Sequence, residues 1–327
     1  MTHADRTLFR KDVERGRLAS RPTAIPFRGW RDVAIRLKRE VKRDDVPLLA
    51  AGVAFFALLA LVPALVALVS LYGLVADPAD IQRNVDDVLA AAPREVRDLV
   101  ESQLSSIVDS SSQGLRLGAL VGLVVALWSA SSGMKHLITA VNRAYDEDET
   151  RGFLRLRGLS LLLTIGAVLA LLAVLYALVV APNSLSEDGS MNVLRITVLV
   201  IRWPLLAIGA IVGLAIIYRY APNRAEARWT WVSPGAVIAT LVWLAASLGF
   251  AFYTANFGQY NETYGALGAV VVVMLWLYIG AYVTIAGAEL NAELEHQTAR
   301  DTTTGSPRAM GERDAYVADT LGESPDR

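Results

Sequence analysis

The side chains with chemical potential are few and sit at the edges of long apolar runs. Asn256, Gln259, Tyr260, Asn261, Glu262 and Tyr264 form a dense polar and aromatic cluster just before an uncharged run from Gly265 to Ala288, and Glu289, Glu293 and Glu295 close that run. Arg202, beside Trp203 and Pro204, lies in another apolar stretch. Amide, phenol and guanidinium groups in such places can line a path for a polar or amphiphilic solute, because ionisable groups inside a bilayer are costly and face a cavity or a partner. A carboxylate there can also carry a proton. Asn256, Tyr260, Asn261, Tyr264, Arg202 and Glu289 are therefore the candidate substrate-path residues. Two of them also have a plainer reading: Arg202 as an anchor that snorkels to the surface, and Glu289 as an interfacial carboxylate that meets arginines.

Covalent and metal chemistry find less material. The chain has no cysteine, and His3, His136 and His296 are scattered, with no second histidine or cysteine near His136 and none of the three in a His-rich motif. No GxxxxGK[ST] loop is present to bind a nucleotide. A metal-dependent nuclease needs clustered ligands near the scissile phosphate, and a metal-free one needs an acid and base in a basic groove. The expectation is a non-enzymatic protein with no catalytic residues, no metal and no cofactor.

The elements that position these residues follow from the apolar runs. Of 327 residues, 54% are hydrophobic, and several runs exceed the roughly 18 apolar residues that mark a transmembrane helix. The run from Gly265 to Ala288 is 24 residues; at 1.5 Å per residue it spans about 36 Å, enough for a hydrocarbon core of about 30 Å. The pattern predicts an all-α polytopic membrane protein with six spans, at residues 47–75, 114–131, 159–181, 193–218, 231–254 and 265–288. Residues 1–46 form a basic segment in which Trp30, Val33, Leu37 and Val41 recur at helical spacing among arginines and lysines. That is the pattern of an amphipathic helix lying on a membrane surface and meeting anionic headgroups. Residues 76–113, with eight carboxylates against three arginines, predict a small helical outer cap. Residues 296–327, rich in Asp, Thr, Gly and Pro, predict a disordered tail.

Small residues suggest how the spans pack. Gly114, Gly118 and Gly122 recur every four residues, Gly209 and Gly213 form a second pair, and Gly280, Thr284, Gly287 and Asn291 share one face of the last span. Such stripes let helix backbones approach closely. Pro63 removes a helical hydrogen bond in mid-span and is a hinge candidate. With the N-terminus in the cytoplasm, the inner segments hold 25 of the 31 Lys and Arg and the outer loops 3. The positive-inside rule then places both termini in the cytoplasm and the Asn256–Tyr264 cluster outside.

Four blocks in order, "AAGVAFFALLALVPALVALVSLYGL", "WSASSGMKHLITAVNRAY", "YRYAPN" and the stretch from Asn256 to Glu295, resemble the YihY/BrkB family of bacterial inner-membrane proteins. The resemblance runs from about Trp30 to Glu295. It implies a six-helix protein of the cell inner membrane without a settled biochemical activity, whose members have been labelled virulence factors and, earlier, a ribonuclease. Handling of lipid or envelope precursors has been suggested for relatives. The expected function is a transporter or flippase-like protein for lipid or another amphiphilic envelope component. The alternative is a non-transporting scaffold or envelope-integrity protein. Membrane lipids are the expected partners, with a second copy or an envelope protein as further candidates and no nucleic acid.

Overall fold

Uninterrupted apolar sequence can satisfy its backbone inside a bilayer only by forming helices, and helices are what it forms. The computed structural model describes residues 13–75, 113–175, 193–257 and 266–324. In chain order the helices are α1 (Phe27–Arg43), α2 (Val46–Val75), α3 (Gln113–Ala144), α4 (Phe153–Leu175), α5 (Val193–Tyr220), α6 (Trp229–Phe257), α7 (Ala266–Glu295) and the short α8 (Tyr316–Asp319). A single-turn 3₁₀ helix at Pro22–Ala24 precedes α1. The one β feature among the described residues is an isolated bridge between Ala227 and Thr303. Five of these helices are long and apolar enough to cross a membrane; the count is six if α1 and the first part of α2, bent by 61° at their junction, form one broken span. Leu48, Val121, Leu162, Leu205, Leu248 and Phe252 all stand exposed on these helices. The protein is therefore an all-α polytopic membrane protein, and those side chains form surface suited to lipid.

The bend between α1 and α2 has a local cause. Asp45 adopts a left-handed φ of 48°, which stops α1, and its carbonyl then accepts from the N–H groups of Leu48 and Leu49 at 2.8 and 3.0 Å to start α2. Pro47 falls in the first turn of α2, where its missing N–H is harmless. Pro63, the hinge candidate, sits inside α2 with helix on both sides. The sharp turn in the described chain is at Asp44–Asp45.

The chain divides into two units. The first comprises Met1–Phe55, His136–Phe153 and Ala210–Arg327; the second comprises Phe56–Lys135 and Leu154–Gly209. In the first unit Val33 of α1, Trp231 of α6 and Leu290 and Leu294 of α7 form an apolar core with Ala19 and Ile25, flanked by Trp30 and Leu37. The apolar stripe of α1 is thus covered by protein instead of lying in lipid as its sequence suggested. The reason is that α7 offers Leu290 and Leu294 to that face, while Arg28, Arg31, Lys38, Arg39 and Lys42 remain exposed on the other. In the second unit α2 and α3 meet at Gly133, where an added Cβ would stand 3.3 Å from the Ala60 side chain. Arg157 of α4 caps the Trp128 ring at 4.1 Å and donates to Ser132 Oγ at 3.2 Å.

The expectation of a disordered tail is corrected. From His296 to Ser324 the chain folds back on the first unit, with Gln297, Thr298, Thr302, Thr303, Val317 and Ala318 buried. Composition suggested disorder because few apolar residues are present. Buried arginines supply the missing order: Arg17 donates to the carbonyls of His296 at 3.2 Å and Gly322 at 2.6 Å, and Arg313 donates to the carbonyl of Ala299 at 2.9 Å.

Candidate functional site

The polar residues gather at one end of the first unit, around the last turns of α7. Close packing of α6 on α7 makes room for them. An added Cβ on Gly235 would run into the Gly287 carbonyl, and one on Gly287 would meet the Tyr218 hydroxyl and, at 2.9 Å, the Ala239 side chain. Asn291 exploits that approach. Its Oδ1 accepts from the N–H of Gly235 at 2.8 Å and its Nδ2 donates to the carbonyl of Val232 at 3.0 Å. Gly235 N–H and Val232 C=O lie on either side of Pro234, within the first two turns of α6, so the asparagine ties α7 directly to the α6 backbone beside the proline. Tyr218 of α5 donates to the carbonyl of Thr284 at 2.8 Å.

The three acids of α7 differ in their partners. Glu295 is clasped by Arg224, with Nη2 at 2.7 Å and Nη1 at 3.2 Å, and accepts from the Thr302 hydroxyl. Arg224 also stands over the Tyr145 ring at 5.0 Å. Glu293 pairs with Arg36 of α1, which also donates to the Glu293 carbonyl at 3.0 Å and to Gln297 Oε1 at 2.8 Å. Glu289 is 2% exposed, its Oε1 has no hydrogen-bond partner, and no Lys, Arg or His among the described residues pairs with it. Asp44, at the α1–α2 bend, is buried beside Arg43 and Arg143, each at 3.3 Å.

A second network ties the loops together. Asn142 accepts from the N–H of Asn223 at 2.7 Å and donates to Glu149 at 2.9 Å; Arg151 grips Glu149 and donates to the carbonyl of Ala221 at 2.8 Å. Burial opposes ionisation of Glu149, but hydrogen bonds from Arg151 and Asn142 outweigh it and hold the carboxyl below its usual range. Asn142 belongs to "VNRAY" and Ala221 and Asn223 to "YRYAPN", so two of the recognisable blocks meet at one junction, with Glu149 and Arg151 of the intervening turn between them.

Against the expected site, the structure brings Glu289 into this buried end but does not join the other candidates to it. Tyr260, Asn261 and Tyr264 lie outside the described residues; Asn256 falls in α6, its side chain outside the description. Arg202 is half-buried in the second unit, its guanidinium 5.5 Å from the Trp203 ring. Of the packing glycines, Gly287 is in tight contact, and Gly280 would place a Cβ 3.5 Å from Trp243. Gly122, Gly209 and Gly213 have nothing within 4 Å of an added Cβ, so no close approach depends on them here. A period of four marks a face without saying what covers it. Gly114 and Gly118 lie in α3 with their surroundings outside the description. Arg36, Arg224, Tyr145 and Asn291 were not singled out as site residues. For Arg36 the mark in the sequence is slight: it falls one turn after Val33, beside the apolar stripe of α1. Among the described residues, no group of three or more His, Asp or Glu is placed to hold a metal.

Comparison with known proteins agrees with this architecture. The chain is 34% identical over 253 residues to the ribonuclease-like protein YfkH of Bacillus subtilis, covering 75% of this chain and 88% of that one. It is 24% identical over 286 residues to a UPF0761 membrane protein of Photobacterium profundum, covering 86% of each. It is 27% identical over 276 residues to another from Alteromonas mediterranea, covering 83% of this chain and 90% of the relative. No solved structure matches. The family described as Virulence factor BrkB matches residues 37–311, which takes in the α1–α2 bend, helices α2 to α7 and the first half of the folded tail, and the chain belongs to that family of membrane proteins.

Proposed function

We propose that the protein is a multi-pass protein of the bacterial inner membrane that moves lipid or another amphiphilic envelope component between leaflets, with both termini in the cytoplasm. The observation that carries this reading is the buried polar end of the first unit, where an unpaired carboxylate, Glu289, sits among helices whose outer surfaces are apolar. Polar groups placed at such cost inside a membrane domain serve a solute or ion path more often than packing. The exposed basic face of α1, with Arg31, Lys38, Arg39 and Lys42, offers anionic headgroups a place to gather beside it. Liposomes containing the purified protein and a fluorescent phospholipid quenched from outside by dithionite test the reading. Quenching beyond the outer-leaflet fraction is expected, and protection equal to protein-free liposomes across several lipid classes would sink it.

The second reading, a scaffold without transport, is favoured by the buried ion pairs that lock α1 and the α5–α6 connection to α7 and by the Arg17 bond that holds the tail to the N-terminal segment. Under that reading the same liposomes show no lipid movement, while loss of the protein still weakens the envelope. The ribonuclease wording attached to YfkH describes that protein; purified protein that cleaved RNA after removal of contaminating nuclease would bring it here.

A further inference from the structure

Glu289, Glu293 and Glu295 occupy the last two turns of α7, and two of the three own a buried arginine: Arg36 serves Glu293 and Arg224 serves Glu295. Glu289 is as buried as they are and has none among the described residues. The charges that act on it most strongly carry its own sign: Asp44 at the α1–α2 bend, Glu40 in α1, Glu293 one turn along α7, and Asp146 in the turn after α3. The buried phenol of Tyr145, just after α3, is also coupled to it. The nearby cations are already engaged, Arg43 and Arg143 with Asp44, and Arg36 with Glu293. An ionised carboxylate in that position would be desolvated without compensation and repelled by its neighbours. A metal does not relieve it, because no group of acids or histidines among the described residues is arranged to hold one.

We propose that Glu289 is a proton-binding site, occupied by a proton in the folded protein and ionising only against Asp44 at the α1–α2 bend. The inference stands apart from lipid transport and needs no substrate. Its consequence is mechanical. Loss of the proton places a second negative charge beside Asp44, where the chain turns by 61°, so protonation of α7 and the angle of α1 to α2 are linked.

Infrared difference spectroscopy of the full chain in nanodiscs reads the proton directly. Wild type is expected to show the carbonyl stretch of a neutral carboxylic acid at neutral pH, shifted in D2O, fading as the pH is raised and missing in Glu289→Gln. The glutamine variant keeps the shape and neutrality of the bound state, so its melting temperature is expected to match wild type, whereas Glu295→Gln melts lower because Arg224 loses its partner. Asp44→Asn removes the strongest repulsive charge, and the wild-type band should then fade at lower pH. The proposal is overturned if wild type lacks the band, if the band survives in Glu289→Gln, if Asp44→Asn leaves its pH dependence unchanged, or if Glu289→Gln melts as low as Glu295→Gln. Should Glu289→Gln fail to fold, the carboxylate is structural and the proposal fails with it.

Discussion

Arg224 shows how a surface-looking loop residue becomes structural. It follows "YRYAPN" in a connection, yet its side chain and that of Glu295 are buried at 2% and 0% exposure. Such a pair adds little over a well-packed apolar pair, but removing one partner strands the other charge at a cost of about 3–5 kcal/mol. Arg224→Ala is therefore expected to lower the melting temperature of the detergent-solubilised protein sharply. Arg28→Ala, whose pair with Glu14 is exposed, is expected to leave it within about 0.5 kcal/mol of wild type. Equal losses in the two variants would show that the buried pair has no special weight.

At the scale of elements, the helix contact between α6 and α7 is set by Gly235 and Gly287. Gly287→Ala is expected to destabilise the fold by about 1–3 kcal/mol through overpacking, since the new methyl must displace the Tyr218 hydroxyl and press on Ala239. Gly209→Ala, with open space around it, serves as the control and is expected to be neutral or slightly stabilising through better helix propensity. Thermal unfolding of both variants side by side checks the difference. The helices themselves were readable from hydropathy because length and lack of charge decide a span. The 0, 4, 7, 11 spacing of Gly280, Thr284, Gly287 and Asn291 also marked the face that meets α6. What hydropathy could not convey is which helix covers which face. The stripe of α1 looks the same whether lipid or α7 lies on it, and the stripe around Gly122 looks the same whether it is packed or open. The bend at Asp44–Asp45 rests on the left-handed φ of Asp45, a tertiary result that carries no mark in residue type beyond a tolerant aspartate.

At the scale of the molecule, the tail converts a set of helices into a closed end. Asp301 anchors it, accepting from the N–H of Arg308 at 2.8 Å and from the N–H and hydroxyl of Thr303 at 2.9 and 2.7 Å. Burial opposes ionisation of Asp301, but these donors and the nearby Arg313 hold its carboxyl below the usual range. A carboxyl with a lowered folded value stabilises fully above the unfolded aspartate value, about 3.9. That contribution is lost as pH falls through the folded value. Hydrogen exchange of residues 299–313 is thus expected to be pH-independent in its protection above about pH 4 and to weaken below it, while Asp301→Asn weakens protection at neutral pH and removes the acid dependence. Composition hid this closure because order here comes from arginine donors meeting backbone carbonyls, and a carbonyl leaves no trace in a sequence.

The same closure sets an order of events during synthesis. Arg17 meets Gly322 across 305 positions of chain and His296 across 279, so the N-terminal segment leaves the ribosome long before its partners exist. Every span must already be in the bilayer before the two ends can join. A chain halted before its final residues would carry all its membrane helices and still leave Arg17 without the Gly322 carbonyl, an open end that quality-control proteases can recognise as unfinished.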